Sequence, residues 1–180
     1  MSDVARLTPT LTAPRIGTVG TAVGGLLLLG TASALGTGYV TVAVRTVPSA
    51  IVIAMGAAAL TSPALLVAHQ LMALKAPPEQ VVAALGQGVV RLGTLCTGLT
   101  PFIVFFALTS GLAPVLYALV LVAACLLASL STVRALAAVE TRSNPQITAG
   151  PAMALLGAVW VGLTGLVALR LAVSVFAAVL

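Results

Sequence analysis

Charge is what this sequence most lacks. Of its 180 residues only 6% are Asp, Glu, Lys or Arg, while 61% are hydrophobic, and the mean hydropathy is +1.23. Soluble domains carry roughly a quarter charged residues, so the polar side chains here are too few to cover a water-facing surface. A soluble enzyme, a disordered chain and a secreted disulfide scaffold are excluded, which leaves an integral membrane protein. The acidic residues number three, Asp3, Glu79 and Glu140, and His69 is the single histidine. One histidine supplies neither a bis-histidine haem site nor a His-rich metal centre. Asp3, the sole aspartate, lies in the polar leader, so no Ser-His-Asp set is plausible. There is no GxxxxGK(S/T) phosphate loop. Cys96 and Cys125 sit in apolar stretches and read as small buried hydrophobes. We therefore expect no catalytic residue, no metal, no cofactor and no enzymatic activity. Aromatic residues make up only 4%, so interfacial belts are thin, and Trp160 and Tyr39 are the expected outer-side anchors.

What is present is apolar sequence in long runs. A bilayer-crossing helix needs about 20 apolar residues, and five stretches qualify: about Ile16 to Val40, Pro48 to Leu74, about Val89 to Thr109, Ala113 to Val133, and Pro151 towards Leu180. Arg45-Thr46-Val47-Pro48 is the expected first break, with Pro48 opening the second helix. Pro77 and Pro78 cannot both lie inside a helix, and Glu79 suits a helix start. The connection Ser110 to Pro114 is short enough to make helices three and four antiparallel neighbours. Glu140 to Pro145 forms the last break. A β-barrel needs alternating segments. These runs are apolar all round, and lipid cannot hydrogen-bond an open backbone, so they must be helices. The expected fold is all-α, one domain over residues 1–180, with residues 1–15 as a polar cytoplasmic leader. Ala32-Ser33-Ala34 looks like a signal-peptide cleavage site. The apolar run continues past it, which favours an uncleaved first helix.

The formal net charge is +5, from eight Lys and Arg against three Asp and Glu. The basic residues are single and scattered, which suits membrane orientation rather than nucleic-acid binding. One side of a five-span layout receives Arg6, Arg15, Lys75, Arg134 and Arg142, plus Arg91 if it sits at the helix mouth, while the other receives Arg45 and Arg170. The positive-inside rule then places the amino end in the cytoplasm.

Three features are candidates for function. His69 and Gln70 near the end of helix two, with Glu79, Gln87 and Arg91 near the start of helix three, form a candidate polar cluster. It reads either as a binding or docking site, or as interfacial residues that snorkel to headgroups. Gly17, Gly20 and Gly24 make a small-residue face on helix one, and Ala154, Ala158 and Gly162 repeat the spacing on helix five. Such faces let membrane helices approach closely, within one chain or between chains. Pro63 and Pro101 should bend helices two and three.

The stretches Arg45-Thr46-Val47-Pro48, Thr61-Ser62-Pro63-Ala64-Leu65 and Pro101 to Ser110 resemble an uncharacterised group of small polytopic bacterial membrane proteins, similar in layout to Yip1-like five-helix proteins. The resemblance covers roughly residues 40–137. Some of that group carry an actin-binding WH2 label, but no basic LKKT-type motif is present here. The resemblance implies a five-helix bundle in a bacterial inner membrane and supplies no catalytic residue. The expected role is a non-enzymatic structural, scaffold or anchoring subunit of a membrane complex. Its partners would be the lipid bilayer and other membrane subunits, homo- or hetero-oligomeric. The alternative is a permease or channel component for a small solute.

Overall fold

The computed structural model describes residues 14–35, 40–72, 74–110, 112–143 and 150–179. Five helices occupy them: α1 (Ile16–Ala34), α2 (Val40–Leu71), α3 (Pro78–Thr109), α4 (Ala113–Ser143) and α5 (Gly150–Val179). All five are long and apolar enough to cross a membrane, which is the profile of a multi-pass membrane protein. At 1.5 Å per residue, helices of 32 residues such as α2 and α3 run about 48 Å, well beyond a hydrocarbon core of about 30 Å.

Several boundaries differ from the sequence expectation. The first helix stops at Ala34 rather than Val40, and the second starts at Val40, so Arg45-Thr46-Val47-Pro48 lies inside α2 instead of breaking the chain. Pro48 lies inside α2, and the preceding Val47 packs on Gly30 of α1, where a Cβ would press 2.5 Å from the Val47 carbonyl oxygen. The third and fourth helices are each longer than their apolar cores suggested. α3 begins at Pro78, capped by Pro77 with Glu79 in its first turn, as the double proline implied. α4 runs on to Ser143 and takes in Glu140, so the expected break at Glu140 to Pro145 begins later than its polar residues suggest.

The helices alternate in direction and close into a ring whose spatial order is α1, α3, α4, α5, α2. Helices three and four are adjacent, as their short connection requires. Helices two and three are not ring neighbours, so their connection crosses one end of the bundle. Lipid tails are as apolar as leucine, so close packing rather than water exclusion holds such a bundle together. Glycine provides that closeness. A Cβ at Gly93 would meet the backbone of Ala22, one at Gly25 the carbonyl of Gly93, and one at Gly88 the Thr132 hydroxyl.

One buried cluster gathers Leu26, Ile53, Leu92, Ile103, Tyr117 and Leu121. A second, nearer the α2–α3 connection, gathers Leu65, Val81, Leu136, Met153 and Trp160. Leu28, Val52, Leu60, Phe105, Leu119 and Val159 are exposed on the outside of the bundle, an apolar surface suited to lipid. Cys96 and Cys125 are buried and unpaired, as expected of small apolar side chains.

Candidate functional site: polar groups at the basic end of the bundle

One end of the bundle collects most of the charge. There α1, α3 and α5 begin and α2 and α4 finish, bringing together Arg15, Lys75, Arg91, Arg134 and Arg142. Arg45 and Arg170 lie towards the other end. Arg6 is outside the described residues.

Two constructions share this end. The first is a buried acid–base lock. Leu136, Val139 and Glu140 lie on one face of α4 at helical spacing and are all buried. His69, in the last turn of α2, donates from Nε2 to Glu140 Oε1 at 2.8 Å, and both side chains are at least nine-tenths buried. The same carboxylate accepts the Ala76 amide at 2.6 Å on Oε1 and the Lys75 amide at 3.1 Å on Oε2. Glu140 thus grips the connection that crosses the bundle end, joining α2, the start of α3 and α4.

The second is a basic crevice of about 720 Å³ between the start of α1, α3 and α4, lined by Arg15, Thr18, Gln87, Arg91, Thr94 and Ser131 among others. A neighbouring crevice of about 430 Å³ shares Arg91 and adds Arg134, Leu95, Leu127 and Leu130. Among the described residues no carboxylate lies within ion-pair distance of Arg15, Arg91 or Arg134. Two glycines shape the opening. A Cβ at Gly86 would press 2.7 Å from Pro14 Cδ, so this glycine lets the chain before α1 lie against α3 and carries Arg15 over the crevice. Gly88 lets the Thr132 side chain of α4 come against α3, which brings Ser131 and Arg134 alongside Arg91.

The expected polar cluster is therefore divided. Gln87 and Arg91, one turn apart, share the basic crevice. His69 turns inward to Glu140. Gln70 and Glu79 are exposed on other faces. Sequence reasoning missed Glu140 as a partner and used Arg134 only as an orientation charge. The signal for Glu140 was the apolar spacing of Leu136 and Val139 just before it.

The remaining polar groups knit the bundle. Trp160 is buried, and its Nε1 donates to the Thr61 carbonyl at 3.1 Å, while Thr164 Oγ1 donates to Thr61 Oγ1 at 3.2 Å. The expectation that Trp160 anchors at an outer interface is thus corrected: its indole N–H has found a partner inside the bundle, between α5 and α2. Tyr39, the other expected anchor, lies outside the described residues. Pro63 follows two residues after Thr61 within α2, and Pro101 lies within α3. Thr61 and Thr100 donate to carbonyls one turn back, at Ala57 and Cys96. At the other end of the bundle Tyr117 and Ser49 hydroxyls bond at 2.8 Å. No buried side-chain polar atom among the described residues lacks a partner.

The small-residue faces also divide. Nothing lies within 4 Å of a Cβ built at Gly17, Gly20, Gly24 or Gly162, and Ala154 and Ala158 are exposed. Gly25, Gly30, Gly86, Gly88, Gly93, Gly157 and Gly165 instead make close contacts within the chain. Among the described residues no group of three His, Cys, Asp or Glu is placed to hold a metal. No family model, curated protein or solved structure matches the chain.

Proposed function

We infer that this chain is a non-enzymatic, multi-pass subunit that scaffolds or anchors a larger membrane complex. The observation that carries the reading is Arg170. It is exposed on α5, a helix that continues with apolar residues to Val179. Gly165 of α5 packs on Leu126 of α4, and Phe176 packs on Tyr117 with ring centroids 5.9 Å apart. Arg170 is therefore level with the uncharged α4 stretch between those two residues, and its outward neighbours Leu166, Leu169 and Val173 are exposed. No described residue pairs with it. An arginine facing lipid within a span costs at least about 2.5–3.5 kcal/mol, which a carboxylate from another chain would offset. A second copy of this chain is a poor source. Of its three carboxylates Asp3 is in the leader, Glu140 is enclosed and Glu79 is at the basic end. The partner that fits is a different membrane protein with an acidic residue in a span.

The permease reading has less support. The cavity between α2, α3, α4 and α5 holds about 30 Å³, and its lining includes Ala54, Leu92 and Cys125 together with the hydroxyl residues Ser129, Thr132 and Thr164. That is room for about one or two waters, whereas solute pathways are polar-lined near the midplane. The basic end supports an amino terminus on the cytoplasmic side. The bacterial inner-membrane setting rests on the resemblance alone.

The test is purification of the full chain from its native membrane in mild detergent. A stoichiometric partner should co-purify, Arg170→Leu should release it while the variant stays folded, and replacing the partner's intramembrane Asp or Glu should do the same. A lone, monodisperse chain whose behaviour Arg170→Leu leaves unchanged would remove the support for this reading.

A further inference from the structure

We propose that the basic crevice at Arg15, Arg91 and Arg134 is a binding site for the phosphate headgroup of an anionic phospholipid. The inference rests on the bundle spanning a membrane and not on the scaffold role.

The first argument is depth. Counted back from the α3–α4 turn at 1.5 Å per residue, Arg91 lies about 27 Å from Thr109 along α3, and Arg134 about 32 Å from Ala113 along α4. If the turn marks one face of a hydrocarbon core about 30 Å thick, both guanidiniums arrive at the opposite headgroup boundary. Arg15, the N-cap of α1, joins them from the third helix.

The second argument is chemistry. Three cations from three helices face two joined crevices, and among the described residues no carboxylate pairs with them. Guanidinium forks match phosphate oxygens in geometry as well as charge. Thr94 and Ser131 donate their hydroxyls to the Val90 and Ala128 carbonyls, at 3.0 and 2.7 Å. The Gln87 amide and Thr18 hydroxyl line the same crevice and add neutral donors that a phosphate can meet.

The third argument separates a lipid from a free anion. Leu95 lies one turn beyond Arg91, and Leu130 and Leu127 lie one and two turns beyond Arg134, all towards the bilayer interior. Leu127 and Leu130 are outward-facing. Cations above and leucines below reproduce the order of a phospholipid, headgroup then acyl chain. A free phosphate would use the arginines and leave the leucine groove empty.

The experiment uses the purified full chain in neutral detergent. Thermal unfolding is followed as phosphatidylglycerol, phosphatidylcholine or inorganic phosphate is added. Phosphatidylglycerol should stabilise saturably, and the other two should not. A basic residue near an anionic membrane surface contributes roughly fivefold in affinity, so Arg91→Gln/Arg134→Gln should raise the half-saturating concentration roughly 25-fold. Arg15→Gln alone, at an exposed position outside the helix packing, should raise it roughly fivefold and serves if the double variant misfolds. Lys75→Gln, at the same end but outside the crevice, should leave it unchanged. Equal stabilisation by inorganic phosphate, equal response to phosphatidylcholine, or equal loss in Lys75→Gln would each overturn the proposal. The first would indicate a free-anion site and the last a diffuse surface attraction. A chain that stays dispersed without detergent would refute the membrane reading itself, separately from the site.

Discussion

His69 and Glu140 stand 71 positions apart in sequence and meet at 2.8 Å, closing the bundle end that the α2–α3 connection crosses. The carboxylate accepts three hydrogen bonds: one from the imidazole and two from the Lys75 and Ala76 amides. Because α2 and α3 are not neighbours in the ring, this connection cannot be a tight turn. Glu140 supplies the acceptor that a buried backbone there requires.

Glu140→Ala should be among the most destabilising single changes in the chain. It strips the acceptor from the buried imidazole and from two backbone amides, and each buried donor left unsatisfied costs roughly 1–3 kcal/mol. Glu140→Gln keeps an acceptor oxygen and should lose less. Thermal unfolding in detergent followed by circular dichroism ranks the two. Equal midpoints for wild type and Glu140→Ala would show that the lock contributes nothing.

Gly20→Ala and Gly93→Ala should change monomer stability in opposite directions. Alanine is a better helix former than glycine by about 1 kcal/mol. At Gly20 nothing lies within 4 Å of the added carbon, so that gain is kept. At Gly93 the carbon runs into the Ala22 backbone, which cannot move aside as a side-chain tip can, so α1 and α3 must separate. Unfolding midpoints of the isolated chain test the signs. Gly20→Leu, with its larger side chain, should leave the monomer folded, and an altered stoichiometry would identify the α1 face as intermolecular.

Trp160 is the single tryptophan, which makes its burial directly readable. Its emission should be blue-shifted and poorly quenched by aqueous acrylamide, and both properties should be lost on unfolding. Trp160→Phe should cost about 1 kcal/mol through the hydrogen bond to Thr61, besides any packing loss. Efficient quenching of the folded protein would contradict a buried indole.

A reporter active only outside the cytoplasm should work when fused after Leu180 and stay silent when fused at Met1. The expectation combines five spans with the gathering of basic residues at the end where α1 begins. The reverse pattern would overturn the orientation.

Helix number and character were legible in the sequence because they depend on local composition. Runs of apolar residues longer than a bilayer is thick have no alternative to helix, and Pro77-Pro78 and Ser110-Gly111 punctuate the chain through their own backbone chemistry. The burial of Cys96 and Cys125 followed from the same apolar surroundings. Punctuation failed at Pro48, which lies inside α2, where the adjoining Val47 backbone packs on Gly30 of α1, a contact that no local window contains. The cyclic order of the helices is a tertiary outcome, since packing between apolar helices depends on which small residues face which backbones. Gly25 and Gly93 became contacts while Gly20 and Gly24, on the same helix as Gly25, were left open. The candidate site was divided for a similar reason. Depth along a helix placed His69, Gln87 and Arg91 near one end, but the direction in which each side chain points depends on helix rotation. Rotation sent His69 to Glu140 and Arg91 to a crevice with Arg15 and Arg134.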